Sequence, residues 1–198
     1  MKRKGLKKGK RIRIKPDWKW ITIAFGTTIG ISATMSFLSN EMLSSGGMVL
    51  SFVVLLGIVM LGIVFDIIGM AVTAAEEKPF HSMASKKIPE ATIAIWMLRR
   101  ADRVSSICND VVGDICGVIS GSASAVIAAK VVVDMQPALS SMFQLVMSAV
   151  VAGLTVGGKA FGKAIAMNNS TLIIQAASKL IYNICSIAKR AASFFRRS

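Results

Sequence analysis

The chain has 198 residues, of which 54% are hydrophobic and only 17% charged, with a mean hydropathy of +0.62. In soluble domains about a quarter of the residues are charged, and the apolar residues of this chain fall in long runs. The composition therefore excludes a large water-soluble core and indicates that lipid is the solvent. The three cysteines have no disulfide or metal-thiolate spacing, and the single histidine, His81, has no partner at zinc-ligand spacing.

A basic tail precedes the first apolar run. Ten of the 24 Lys and Arg residues lie there: Lys2, Arg3, Lys4, Lys7, Lys8, Lys10, Arg11, Arg13, Lys15 and Lys19. Nucleic-acid binding is one interpretation of such a tail. We favour a topology signal that also contacts anionic lipid, because the tail adjoins a hydrophobic span. We therefore predict that residues 1–19 form a cytoplasmic tail and that nucleic acid is not a partner.

Two apolar spans follow the tail. The first extends from about Trp20 to Ser39 and, with a short outer loop, occupies residues 20–47. A cleaved signal peptide is the alternative, but the run is long for that role and no clear small-x-small cleavage site follows it. The second span, about Met48 to Val72, is the most apolar stretch and carries one charge, Asp66.

The rest of the chain alternates charged and apolar segments. The segment Ala74–Arg103 is mixed and predicts an interfacial helix. A third span is predicted over about Val104 to Val133 and a fourth over about Leu139 to Val156. Gly157–Ser198 alternates apolar and basic residues, which predicts one or two amphipathic helices on the membrane, with residues 179–198 as a basic amphipathic tail.

The distribution of basic residues gives the topology independently of hydropathy. Basic residues crowd the N-terminal tail, the mixed segment and the C-terminal tail, whereas the two remaining loops hold only Lys130. The positive-inside rule then places both termini in the cytoplasm. The predicted fold class is all-α, a polytopic membrane helical bundle of about four spans with interfacial helices, with a bacterial plasma membrane as the default location.

Small residues recur at four-residue spacing in several predicted spans. The longest series is Gly113, Gly117, Gly121 and Ala125, and Gly158 and Gly162 form a shorter one. Small residues on one helix face allow close approach of neighbouring backbones. The longest series therefore predicts the tightest packing seam in the bundle.

Three carboxylates fall inside the predicted spans: Asp66, Asp110 and Asp114. Each costs about 2.5–3.5 kcal/mol at a helix centre, so each should face protein or water. Asp110 and Asp114 share a helix face with Ser106, and Asn109 flanks that face. Because no Lys or Arg lies near the middle of the first three spans, the set suits a hard cation such as Mg²⁺, or a proton path.

Two other interpretations of these acids stay open. They could be hydrated near the cytoplasmic interface, since Asp110 is only about 10 Å along a helix from Arg103. They could also be protonated within helix–helix hydrogen bonds. No nucleotide-binding loop, nucleophile elbow or metalloprotease motif is present. We therefore predict that the chain is not an enzyme and has no cofactor other than a candidate divalent cation.

From the second span onward, the order of features resembles the transmembrane domain of the CorB/CorC and cyclin-M magnesium and cobalt transporter family. The residues that carry the resemblance are Val64–Ala71, Arg100–Arg103 and Gly158–Ala166. It covers residues 48–178 and does not include the family's CBS domains. Asp66 replaces the family's Ser, Gly69 its Glu, and Lys159 and Gly162 the Glu and Pro of its last motif.

The resemblance implies a divalent-cation site and a homodimer in the lipid bilayer. With a short deletion, Asn109 and Asp110 occupy the family's ion-ligand positions opposite Asp66, whereas without it Val111–Gly113 falls there. We then expect Asp114 and Ser106 to contact the residues that bind the ion rather than the ion itself. The alternatives are a non-transporting scaffold or regulator that kept the membrane fold, and a holin-like pore former, suggested by small size and a basic tail.

Overall fold

The computed structural model describes residues 18–132 and 137–195 of the chain. Residues 1–17, which make up almost all of the predicted basic tail, residues 133–136 and residues 196–198 at the end of the predicted C-terminal tail lie outside this range. The described residues form α1 (Trp18–Ser45), α2 (Met48–Ala74), α3 (Lys78–Ser85), α4 (Pro89–Leu98), α5 (Ala101–Ser106), a π-helical segment (Ile107–Gly113), α6 (Asp114–Val131), α7 (Pro137–Asn168) and α8 (Ser170–Phe195).

The predicted all-helical class is confirmed, because the described residues contain helices and no strand. Among the described residues, four stretches are long and apolar enough to cross a membrane: Trp18–Glu41, Met48–Ala74, Ala101–Val131 and Leu139–Asn168. The α2 stretch is the most apolar of the four, with a mean hydropathy of 2.9 over its most apolar 18 residues. Its 27 residues give a helix about 40 Å long, more than the roughly 30 Å of a hydrocarbon core. These four helices indicate a membrane protein.

The third stretch is the central helix of the bundle. Of its most apolar 18 residues, 56% are buried, whereas of the most apolar 18 residues of α1 none is. Ile115, Cys116 and Ile119 of α6 pack against Ile58 of α2 in one core cluster. Exposed apolar side chains on α1 and α7 are then available to lipid.

Helix ends differ from two predictions. Helix α1 continues to Ser45, so the predicted outer loop from Asn40 shortens to Gly46 and Gly47. The prediction that the fourth span ends near Val156 is wrong, because α7 is one helix from Pro137 to Asn168. The stretch after Val156 contains no proline, and the lysines that suggested a surface segment fit on the helix: Lys163 is exposed, and Lys159 has an acidic partner.

The mixed segment forms two short helices rather than one. Pro79 and Pro89 lie in the first turns of α3 and α4, where a missing N–H group breaks no helical hydrogen bond. Fully buried Phe80 anchors a cluster that joins α2, α3, α4, α7 and the first half of α8. The second half of α8 exposes apolar residues such as Ile184 and Ile187, as an amphipathic helix at a membrane surface would.

Close backbone packing occurs at Gly62 and at the predicted pair Gly158 and Gly162, but not along most of the longest predicted series. A Cβ atom on Gly62 would lie 2.9 Å from Cys116 Cβ, and one on Gly162 would lie 2.6 Å from Ile67 Cγ1. A Cβ on Gly117 or Gly121 would meet nothing within 4 Å. The predicted seam is therefore wrong beyond Gly113, because that face of α6 borders an open groove of about 310 Å³ against α7.

The contact at Gly62 gives a stability prediction with a control on the same helix. Gly62→Ala is expected to lower the free energy of unfolding by about 1–3 kcal/mol, because the Cys116 Cβ that it meets cannot rotate away and the helices must separate. Gly57→Ala has open space and should be neutral or stabilising by up to about 1 kcal/mol through helix propensity. Thermal unfolding of both variants in detergent measures the difference; equal effects would contradict the packing.

Candidate cation site

The membrane-embedded acid of α2 has a basic partner on α7. The Asp66 Oδ1 atom lies 3.5 Å from Lys159 Nζ, and the two side chains are only 18% and 25% exposed. The expectation that this acid lacks a nearby base is therefore wrong. The sequence assigned Lys159 to a surface segment, but the unbroken α7 helix carries it to the level of Asp66.

Gly113 provides the room for this ion pair. A Cβ atom on Gly113 would lie 3.3 Å from Lys159 Nζ and 3.7 Å from Asp66 Oδ1. Gly113 itself is buried and ends the π-helical segment of the third span. The ion pair is therefore enclosed by three membrane helices, α2, α7 and the third span.

A second polar group lies on the same interface. Asn109 Nδ2 donates a hydrogen bond to Ser105 Oγ at 3.1 Å, but the buried Asn109 Oδ1 atom has no hydrogen-bond partner. That oxygen points at Gly69, where any Cβ atom would clash with it. Leaving a buried acceptor without a donor costs about 1–3 kcal/mol, so this oxygen is a candidate ligand for a cation.

The two polar groups lie close to one another along the bundle. Asp66 and Gly69 are three residues apart on α2, and Asn109 and Gly113 are four apart on the third span, so each pair shares a helix face. Because Asp66 lies next to Gly113 and Asn109 next to Gly69, the carboxylate and the amide face the same interface about one helical turn apart. The turn that carries Asn109 is π-helical, a geometry that often marks functional sites.

The other predicted ligands lie on a different face. Ser106 Oγ donates a 2.8 Å hydrogen bond to Asp110 Oδ2, and Asp110 is exposed. Asp114 is also exposed. Each of these acids follows a residue that faces α2 and is rotated about a quarter turn away from it. The structure thus brings Asp66 and Asn109 to one interface and places Asp110, Asp114 and Ser106 outside it.

The ligand types restrict the cations that fit. Within residues 18–132 and 137–195, no three His, Cys, Asp or Glu side chains come close enough to hold a metal ion together. A site with one carboxylate and one amide oxygen suits a hard cation that keeps several of its waters, as Mg²⁺ does. The same ligands are unsuited to Zn²⁺, which prefers nitrogen and sulfur.

Comparisons with protein-family models, with curated proteins and with solved structures give no match to this chain.

Proposed function

We propose that this membrane protein binds a hydrated divalent cation, with Mg²⁺ as the leading candidate, between α2, the π-helical segment and α7. In this proposal Asp66 and Asn109 supply the ligands, and the Lys159 ammonium takes the place of the cation when none is bound. The single observation that carries the proposal is the unpartnered Asn109 Oδ1 on the interface that holds the Asp66–Lys159 pair. The relation to magnesium and cobalt transporters belongs to the same proposal.

The charges explain why Lys159 and a cation would compete. An isolated carboxylate in this position costs about 2.5–3.5 kcal/mol, which either an ammonium group or a metal ion offsets. Both together would leave excess positive charge in a medium of low dielectric constant. Lys159 is 25% exposed, so its long side chain can turn outward and keep its ammonium solvated when a cation binds.

A membrane scaffold without transport is the second candidate function. The observation that favours it is that Lys159 already neutralises Asp66, so the fold has no need of a cation. A scaffold predicts a structural ion pair and no stoichiometric binding of Mg²⁺. The two candidates therefore differ in a measurable property.

Uptake of Mg²⁺ into proteoliposomes tests transport. Wild-type protein is expected to move Mg²⁺, and Asp66→Asn is expected to reduce the rate at least about tenfold, since an amide replaces the only charged ligand. Asp102→Asn makes the same chemical change at an exposed position in the first turn of α5 and should leave the rate unchanged. Equal rates for wild type and Asp66→Asn would exclude transport through this site.

A further inference from the structure

The exposed face of α4 and the turn that follows it carry aromatic and basic side chains around a shallow cavity. Thr92, Ile95, Trp96, Arg99 and Arg100 line it, and its volume is about 410 Å³. The spacing of the first four places them on one helix face. Arg99 and Arg100 are exposed, and Trp96 is 53% exposed. This face is separate from the Asp66–Asn109 interface.

Trp96 holds one of the two guanidinium groups in place. The Arg100 Cζ atom lies 4.9 Å from the centroid of the Trp96 ring, within cation–π distance. Arg100 has no carboxylate partner among the residues that the structure describes, so its N–H donors can reach a ligand. Arg99 Nε lies 3.8 Å from Glu77, whose carboxylate is also 3.1 Å from His81, so Arg99 is only partly neutralised.

The position of this cavity relative to the membrane spans indicates what it meets. Arg103, three residues after Arg100, stacks over Trp20 with its Cζ atom 5.4 Å from the ring centroid. Trp20 lies in the first turn of the first candidate span. Tryptophan at the end of a span and arginine beside it are typical of the level of lipid headgroups. The cavity therefore lies where phosphodiester groups are concentrated.

We propose that Arg99, Arg100 and Trp96 form a binding site for the headgroup of an anionic phospholipid. The two guanidinium groups match the geometry of a phosphodiester, which planar guanidinium binds through paired hydrogen bonds. Thr92 adds a hydroxyl group to the same face, and the indole ring offers an apolar surface to the glycerol backbone. The net positive charge of the cavity selects an anionic headgroup over a zwitterionic one.

Native mass spectrometry of the detergent-purified full chain tests this site with short-chain phosphatidylglycerol as the probe. We expect wild type to retain phosphatidylglycerol at least about tenfold better than phosphatidylcholine, as electrostatic contacts from two basic residues imply. Arg99→Gln with Arg100→Gln should remove that preference. Lys86→Gln with Lys87→Gln changes the charge equally, at two exposed positions off this face, and should preserve it.

Three outcomes would overturn the proposal. Equal loss in the two double variants would mean that net charge alone attracts the lipid. Equal retention of phosphatidylcholine would mean that the site does not select anions, and displacement of the lipid by inorganic phosphate would identify free phosphate as the ligand. If the arginine double variant does not fold, Arg100→Gln alone serves, because its removal breaks no ion pair among the described residues, and it should still lower the preference several-fold.

Discussion

Lys159→Met is expected to destabilise the protein and, at the same time, to make its stability depend more strongly on Mg²⁺ than that of wild type does. Without the ammonium group, Asp66 is a mostly buried carboxylate with its ion-pair partner removed. Breaking a fully buried pair costs 3–5 kcal/mol and a surface pair under about 1, so this partly exposed pair should cost about 1–3 kcal/mol. Thermal unfolding in detergent, without and with Mg²⁺, measures both effects.

Mg²⁺ should restore the stability of Lys159→Met, because the cation then meets no competing ammonium at Asp66. At a concentration 100 times the dissociation constant, a ligand that binds only the native state contributes about 2.7 kcal/mol. The double variant Asp66→Asn with Lys159→Met should regain stability but lose the response to Mg²⁺. Lys163→Met, an exposed lysine one turn further along α7, is the matched control and should behave as wild type. Destabilisation by Lys159→Met without rescue by Mg²⁺ would support the scaffold.

Asn109→Ala should weaken the binding of Mg²⁺ while leaving the stability of the protein nearly unchanged. The substitution loses the hydrogen bond to Ser105, which contributes about 0.5–1.5 kcal/mol, but also removes the unpartnered buried oxygen, which costs about 1–3 kcal/mol. These two contributions overlap in size and oppose one another. Stability without a cation is therefore expected to change little, while the affinity for Mg²⁺ falls at least about tenfold with the loss of a ligand. Calorimetric titration and thermal unfolding of the same preparations check both parts.

Two further variants make this prediction specific. Gly69→Ala should also weaken binding, because the added methyl group displaces the Asn109 oxygen. Asp110→Asn removes an acid from the exposed face and should leave the affinity unchanged. If Asp110→Asn reduced binding and Asn109→Ala did not, the ligands would lie on the face of Asp110 and Ser106 rather than at the interface with α2.

The spans could be predicted from the sequence because lipid requires long apolar runs, and α2 is such a run from Met48 to Phe65. The end of the fourth span could not be predicted in this way. Lys159 and Lys163 give the end of α7 the charged composition of a surface helix. Only the contact with Asp66 shows that Lys159 is tolerated inside the bundle. A contact between residues 93 positions apart leaves no local pattern in one sequence.

For the same reason, only part of the candidate site could be predicted from the sequence. Asp66 and Asn109 were identified as polar residues within apolar segments, and both face the interface. Asp110 was grouped with them as an acid within the third span, but Asn109 and Asp110 are adjacent on a helix and therefore point in different directions. Packing of Gly69 and Gly113 against polar groups decides which face of the third span meets α2, and glycine carries no hydrophobic signal that would indicate it.

The competition between Lys159 and a cation at Asp66 is tested most directly by calorimetric titration of the purified chain with Mg²⁺. We expect one Mg²⁺ per chain for wild type, tighter binding for Lys159→Met, and no binding for Asp66→Asn. A wild-type chain that takes up no Mg²⁺, or an Asp66→Asn variant that binds it as wild type does, would contradict the account.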